Sequence, residues 1–211
     1  MDVKNTGINL ISLIFKGGPV MVILLILSII SLAIILIKIY QFYKLGINNS
    51  KIIEPIYKLI KDKNTKKASE LLINISHPSS KIVLAILENK ELPSQDMEDK
   101  IGITGEKEIR NLEYLLKPLE VISNIAPLLG LLGTVIGMIN AFSKLENAGS
   151  KVDPAILAGG IWEALLTTAF GLIVAIPALA AFYWLDGKVD KTREDIRHVA
   201  IKTIVIIKNI K

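Results

Sequence analysis

Glu163 stands alone. It is the only charged residue between Asp153 and Asp186. If a hydrocarbon core about 30 Å thick is centred near residue 170, a rise of 1.5 Å per residue puts Glu163 about 11 Å from the midplane, roughly 4 Å inside the boundary. Holding an ionised acid at the centre of a span costs ~2.5–3.5 kcal/mol, and less near its edge. A carboxyl kept at that depth can take up and release a proton; the plain alternative is a side chain that reaches the outer headgroups beside Trp162. Hydroxyls accompany it. Thr167 follows one turn later on the same helical face, and Thr134 lies among the glycines of an earlier apolar run. Each can donate and accept a hydrogen bond, as a proton or hydrated-ion route requires. Any one of them taken alone is as well explained by a bond to the carbonyl one turn back. Thr168 leaves the helix about 140° from Glu163 and is expected to face an adjoining helix instead. Other chemistry is poorly provided for. There is no cysteine and no HExxH, and His77 and His198 fall outside the apolar runs. A thiolate zinc site is thereby excluded, and Ser28 and Ser31 have no base in reach to make an intramembrane hydrolase.

The element carrying Glu163 follows from composition. Of 211 residues 51% are apolar and 21% charged, and mean hydropathy is +0.50. That excludes a disordered or collagen-like chain, and the missing cysteines exclude a disulfide-stapled module. Residues 17–37, 121–143 and 164–185 contain no Asp, Glu, Lys, Arg or His. Each is long enough to cross a bilayer core, which takes about 20 residues. The first exceeds a signal-peptide core and ends in Lys38, Tyr40 and Lys44 without a small-x-small site, so it reads as a retained anchor. The expected class is an all-α membrane protein with three spans.

Lys and Arg orient it. Of 25, the segment 38–120 holds fourteen and the tail 186–211 holds seven, leaving Lys4, Lys16, Lys144 and Lys151 elsewhere. Basic loops stay in the cytoplasm, and short ones testify best. The expected layout is a periplasmic segment 1–16, span 17–37, a cytoplasmic helical domain 38–120, span 121–143, and a periplasmic turn 144–153. A third span with its outer extension (154–185) and a cytoplasmic helix 186–211 complete it. Tyr40, Phe42, Tyr43, Tyr183 and Trp184 mark the inner boundary. The charge of +5 is therefore a topology signal; a nucleic-acid face is not expected, because 38–120 also carries twelve acids.

The cytoplasmic part reads as helices. Ile52, Ile53, Ile56, Leu59 and Ile60 have helical spacing, with breaks expected at Asn64-Thr65, His77-Pro78 and Leu92-Pro93. Ser94 is the expected N-cap of a helix that runs without a turn signal into the second span, bent at Gly102, Gly105 or Pro118. The third span is expected to continue through Ile196, Val199, Ala200, Thr203 and Ile207.

The spans differ in side-chain size. Large aliphatic residues dominate the first, so a lipid-facing position is expected for it. Small residues line the second at Ser123, Ala126, Gly130, Gly133, Gly137 and Ala141, and the third at Gly160, Ala164, Thr168, Gly171, Ala175 and Ala178. Their steps of three and four let helix backbones approach closely, so these two spans should form the packed interior. Pro177 is expected to kink the third span and free the carbonyl of Ile173.

The stretch from Ala126 to Met138 (APLLGLLGTVIGM), Gly160-Ile161-Trp162-Glu163-Ala164-Leu165, Thr167 to Leu172 and Ala175-Ile176-Pro177-Ala178 together resemble the MotA/TolQ/ExbB proton-channel family. The likeness is specific over about 105–185, and the three-span layout is similar to the ExbB and TolQ branch. It implies a homopentameric ring around the helices of an ExbD- or TolR-like single-span partner bearing a membrane Asp. Proton flow would then work a TonB- or TolA-like protein at the bacterial inner membrane. It implies that Glu163 matches the family's membrane glutamate and that Thr134 and Thr168 match its pore threonines. Gly130, Gly133, Gly137, Gly160, Ala164, Gly171 and Pro177 would pack helices or line the pore. Thr167 departs from the small apolar residue common there, which leaves Na+ open as the coupling ion beside the proton. No cofactor or metal is implied, and no enzyme activity. The competing reading is a passive scaffold of an envelope complex.

Overall fold

A computed structural model describes residues 18–47, 50–148 and 154–209. The expected N-terminal segment 1–16 and residues 149–153 of the expected outer turn lie outside the described residues. The described residues are helical, without strands. In chain order they form α1 (Gly18–Leu45), a short 3-10 turn (Ser50–Ile53), α2 (Glu54–Lys61), α3 (Thr65–Ile73), α4 (Pro78–Glu88), α5 (Ser94–Glu113), α6 (Leu116–Ala148) and α7 (Pro154–Lys208). Three helical stretches, in α1, α5–α6 and α7, are long and apolar enough to cross a membrane. Two compact units divide the chain, one of 1–35 with 117–182 and one of 36–116 with 183–211.

The first unit holds the N-terminal part of α1, nearly all of α6 and the first half of α7. On α1, Val20, Met21, Leu24, Ser31 and Ile34 are buried while Val22, Ile23, Ile26, Ile29 and Ile30 are exposed. The first helix is thus not wholly lipid-facing: one stripe at helical spacing is covered, because even large side chains interdigitate where the partner offers grooves. Pro127 and Pro177 both sit within unbroken helical stretches.

In the second unit α1 ends in a Schellman cap. Gly46 takes φ +65°, its N–H bonds Tyr43 O at 3.1 Å, and Ile47 N–H bonds Phe42 O at 3.3 Å. Only a residue without Cβ enters that conformation cheaply. The breaks expected at Asn64 and His77 are found: Asn64 caps α3 by accepting from Lys67 N–H, and His77 caps α4 by accepting from Ser79 N–H. Ile56, Tyr57 and Ile60 of α2, Ala68 and Leu72 of α3, Val83 and Leu87 of α4, and Ile206 of α7 share one apolar core. The stripe expected on α7 is there, with Ile196 and Thr203 buried.

Two expectations need correction. Pro93, rather than Ser94, caps α5, because its carbonyl already accepts the first helical bond, from Met97 N–H at 3.1 Å. The helix expected to run from 94 into the second span, bent at Gly102, Gly105 or Pro118, is interrupted instead: it ends at Glu113 and restarts at Leu116, with Leu115 at φ +71°. Pro118 explains the position. A helix running through it would press its ring against the carbonyl of Tyr114, four residues back, whereas in the first turn of a new helix it displaces no bond. Lys38 stabilises the break. Its buried ammonium donates to Leu112 O at 2.6 Å and to Gln41 Oε1 at 2.7 Å. Gln41 Nε2 donates in turn to Asn111 O at 3.2 Å. A cation at the last carbonyls of α5 meets the negative end of the helix dipole.

Candidate membrane-embedded ion site

Within the first unit, α6 and α7 run antiparallel in close contact along their small residues. The spacing shows in what an added methyl would strike. A Cβ on Gly130 would lie 3.0 Å from Thr167 O and from Thr168 Cα; one on Gly137 would lie 3.0 Å from Ala164 Cβ. On Gly171 it would come within 2.6 Å of Ala126 O, and on Gly160 it would collide with Ala141 Cβ. Both expected stripes therefore face each other, in a register that pairs Ala141 with Gly160, Gly137 with Ala164, and Gly130 with Gly171. Pro177 does not belong to this seam; its side chain is exposed, because it falls on the opposite side of α7 from Gly171 and Ala175.

Glu163 stands at the edge of the seam. It is half-buried and lines a cavity of about 80 Å3 with Thr167, Gly133, Gly137, Asn140, Ile136 and the Gly18–Val20 start of α1. Gly133 makes room for Thr167: a Cβ there would be 2.5 Å from Thr167 Oγ1. Thr167 is almost wholly buried, at 2% exposure. Its hydroxyl lies 2.7 Å from Ala164 O, one turn back, and 3.2 Å from Gly130 O across the seam.

Thr168 faces the adjoining helix, as expected: its hydroxyl donates to Gly130 O of α6 at 3.1 Å, the same carbonyl that the Thr167 hydroxyl reaches. The close approach of the backbones brings one carbonyl within reach of both side chains. Thr134 donates to Leu131 O at 2.6 Å, the back-bond a lone threonine makes in a helix. It lines a different, open groove of about 590 Å3 with Met138, Phe142 and Glu146. Glu163 and Thr167 are thus brought together, and Thr134 is not. Asn140 was missed by sequence reasoning. Its signal was an amide about one turn beyond Gly137 in an otherwise apolar stretch, but only the register of α6 against α7 shows that it reaches the level of Glu163.

A model of the MotA/TolQ/ExbB proton channel family matches residues 74–198. That stretch contains the whole α6–α7 seam together with Glu163. The chain belongs to this family. An ExbB-like biopolymer transport protein of Synechocystis sp. is 35% identical over 170 residues, covering 79% of this chain and 66% of its own length. The Vibrio cholerae biopolymer transport protein exbB1 is 32% identical over 139 residues, covering 64% of this chain and 61% of its own length. The Tol-Pal system protein TolQ of Haemophilus influenzae is 36% identical over 95 residues, 45% of this chain and 41% of that protein. The match thus spans less than two thirds of the length of each of these three relatives. With three helices apolar enough to cross a bilayer, the chain is a multi-pass membrane protein of the ExbB and TolQ kind.

Proposed function

We propose that this chain is the membrane subunit of an ion-driven motor, in which proton passage at Glu163 is converted to mechanical work. The observation that carries the reading is the placement of a lone membrane acid in a small cavity beside a glycine-packed seam, in a chain of a proton channel family. An acid that met lipid would only cost free energy; one that lines a cavity between packed helices can exchange a proton with water or with a partner's carboxylate.

In this reading several copies, five by the family resemblance, form a ring with cytoplasmic C-termini and periplasmic N-termini in a bacterial inner membrane. Glu163 and Thr168 leave α7 about 140° apart, on opposite flanks of the seam. In a cyclic assembly every contact joins one flank of a copy to the other flank of the next, so both flanks are used. Thr134 and Thr168 then line the central passage, where an ExbD- or TolR-like single-span partner presents its aspartate. The output goes to a TonB- or TolA-like protein, for uptake or envelope maintenance. No catalytic constellation is called for, and the protein acts as a channel and motor rather than as an enzyme.

The test is Glu163→Gln, which keeps volume and removes titration. Energised transport should fall at least tenfold while the complex still assembles with unchanged mass. A passive scaffold predicts instead that Glu163→Ala retains transport wherever the complex forms.

A further inference from the structure

The open groove that Thr134 lines ends on a charge. We propose that Glu146 is an entry residue of the channel, whose carboxylate draws cations to the mouth of the passage and sets how fast they reach it. The inference rests on the channel reading above and gives a second acid, remote from Glu163, a role in it.

Three observations support it. Along α6, Val135, Ile139, Phe142 and Glu146 follow at steps of four, three and four, so one helical face carries three apolar side chains and then a carboxylate. All four are exposed, and all four line the same groove as Thr134. Twelve residues of helix set the acid about 18 Å along the axis from that threonine. Helix stability does not explain the position. Glu146 falls in the last turn of α6, which holds no basic residue. A carboxylate there meets the negative end of the helix dipole, and a local rule broken in this way points to a functional demand. Nor is the charge neutralised nearby. Among the described residues Glu146 has no ion-pair partner, and no Lys, Arg or His lines the groove. Charge of one sign beside apolar walls focuses the field and raises the local concentration of cations. Rings of acids act in this way at the mouths of cation channels. In the orientation proposed above, the end of α6 faces the periplasm, where protons enter. Each copy in a ring adds one such carboxylate, and Glu163 remains the group that exchanges the proton.

The full chain is reconstituted with the proposed single-span partner in phosphatidylcholine vesicles, which add no net lipid charge. Proton flux is measured at two choline chloride concentrations, with every variant assembled to the same mass. Raising the salt from about 0.01 M to about 1 M shortens the screening length from about 30 Å to about 3 Å. At low salt Glu146→Gln should conduct at least about threefold less than the wild type, and Glu146→Lys at least about tenfold less. At high salt the three should agree within about twofold, because the field no longer reaches the entering cation. Glu146→Asp should keep the wild-type salt dependence. Equal flux of the wild type and Glu146→Lys at low salt overturns the entry role. A deficit that persists undiminished at high salt overturns it too, since a packing defect would behave in that way. If the Glu146 variants match the wild type while Glu163→Gln loses flux at both salts, the entry role is wrong and the channel reading stands. Salt-dependent loss at Glu146 in a protein whose Glu163→Gln variant conducts fully supports the entry role and overturns the reading at Glu163.

Discussion

Lys38 donates to the carbonyl of Leu112 across 2.6 Å, joining the C-terminal part of the first helix to the last turn of α5. The ammonium is completely buried, so the bond is made where water cannot replace it. Lys38→Met keeps the aliphatic stem and leaves that carbonyl without its donor. The expected loss is about 1–3 kcal/mol, the usual cost of a buried unsatisfied group. Unfolding in detergent should report it, and amide exchange should rise first around 111–116. Unchanged exchange there would mean that the break at Tyr114-Leu115 holds without its cap.

Glycines should separate into two classes. Gly171→Ala drives a methyl toward the Ala126 carbonyl at 2.6 Å, and backbone cannot step aside as a flexible side chain can. Overpacking of this kind costs about 1–3 kcal/mol. Gly187 has nothing within 4 Å of an added Cβ and lies inside α7. Gly187→Ala should therefore gain up to about 1 kcal/mol from helix propensity. Thermal unfolding of the two variants side by side tests the seam.

His77 should make stability depend on pH. Its ring is buried, and that burial pushes its pKa below the ordinary 6.5, with Asp195 opposing the shift in part. Nδ1 accepts from Ser79 N–H at 3.2 Å, a bond that a protonated ring cannot make. The unfolded chain thus binds a proton more readily than the folded one. The stabilisation is complete above about pH 6.5 and is lost as pH falls from there toward the depressed folded value. His77→Asn retains a capping side chain without titration, so its unfolding free energy should decline less than the wild type's between pH 7.5 and 5. Parallel declines would contradict the assignment.

Much of this architecture is legible in the amino-acid order. The three uncharged runs are long enough to dictate three helices, and Asn64 and His77-Pro78 announce their own breaks because capping is local chemistry. The small stripes on α6 and α7 also predict that these helices meet. Their register does not follow from periodicity, since steps of three and four recur and several alignments satisfy them equally. That is why periodicity singles out neither Asn140 nor the shared acceptor Gly130 O, which both Thr167 and Thr168 reach. The break at Tyr114-Leu115 was hidden for a related reason. Pro118 permits it, but the donor that caps it is Lys38, 74 residues away in sequence.

Proton flux through Glu163 is the most direct test of the central claim. Vesicles containing the chain with the proposed ExbD- or TolR-like single-span partner carry a pH-sensitive dye inside, and flux is driven by an imposed pH gradient. The wild type should conduct, and Glu163→Gln, assembled to the same mass, should fall at least tenfold. Full conduction by that variant would contradict the account.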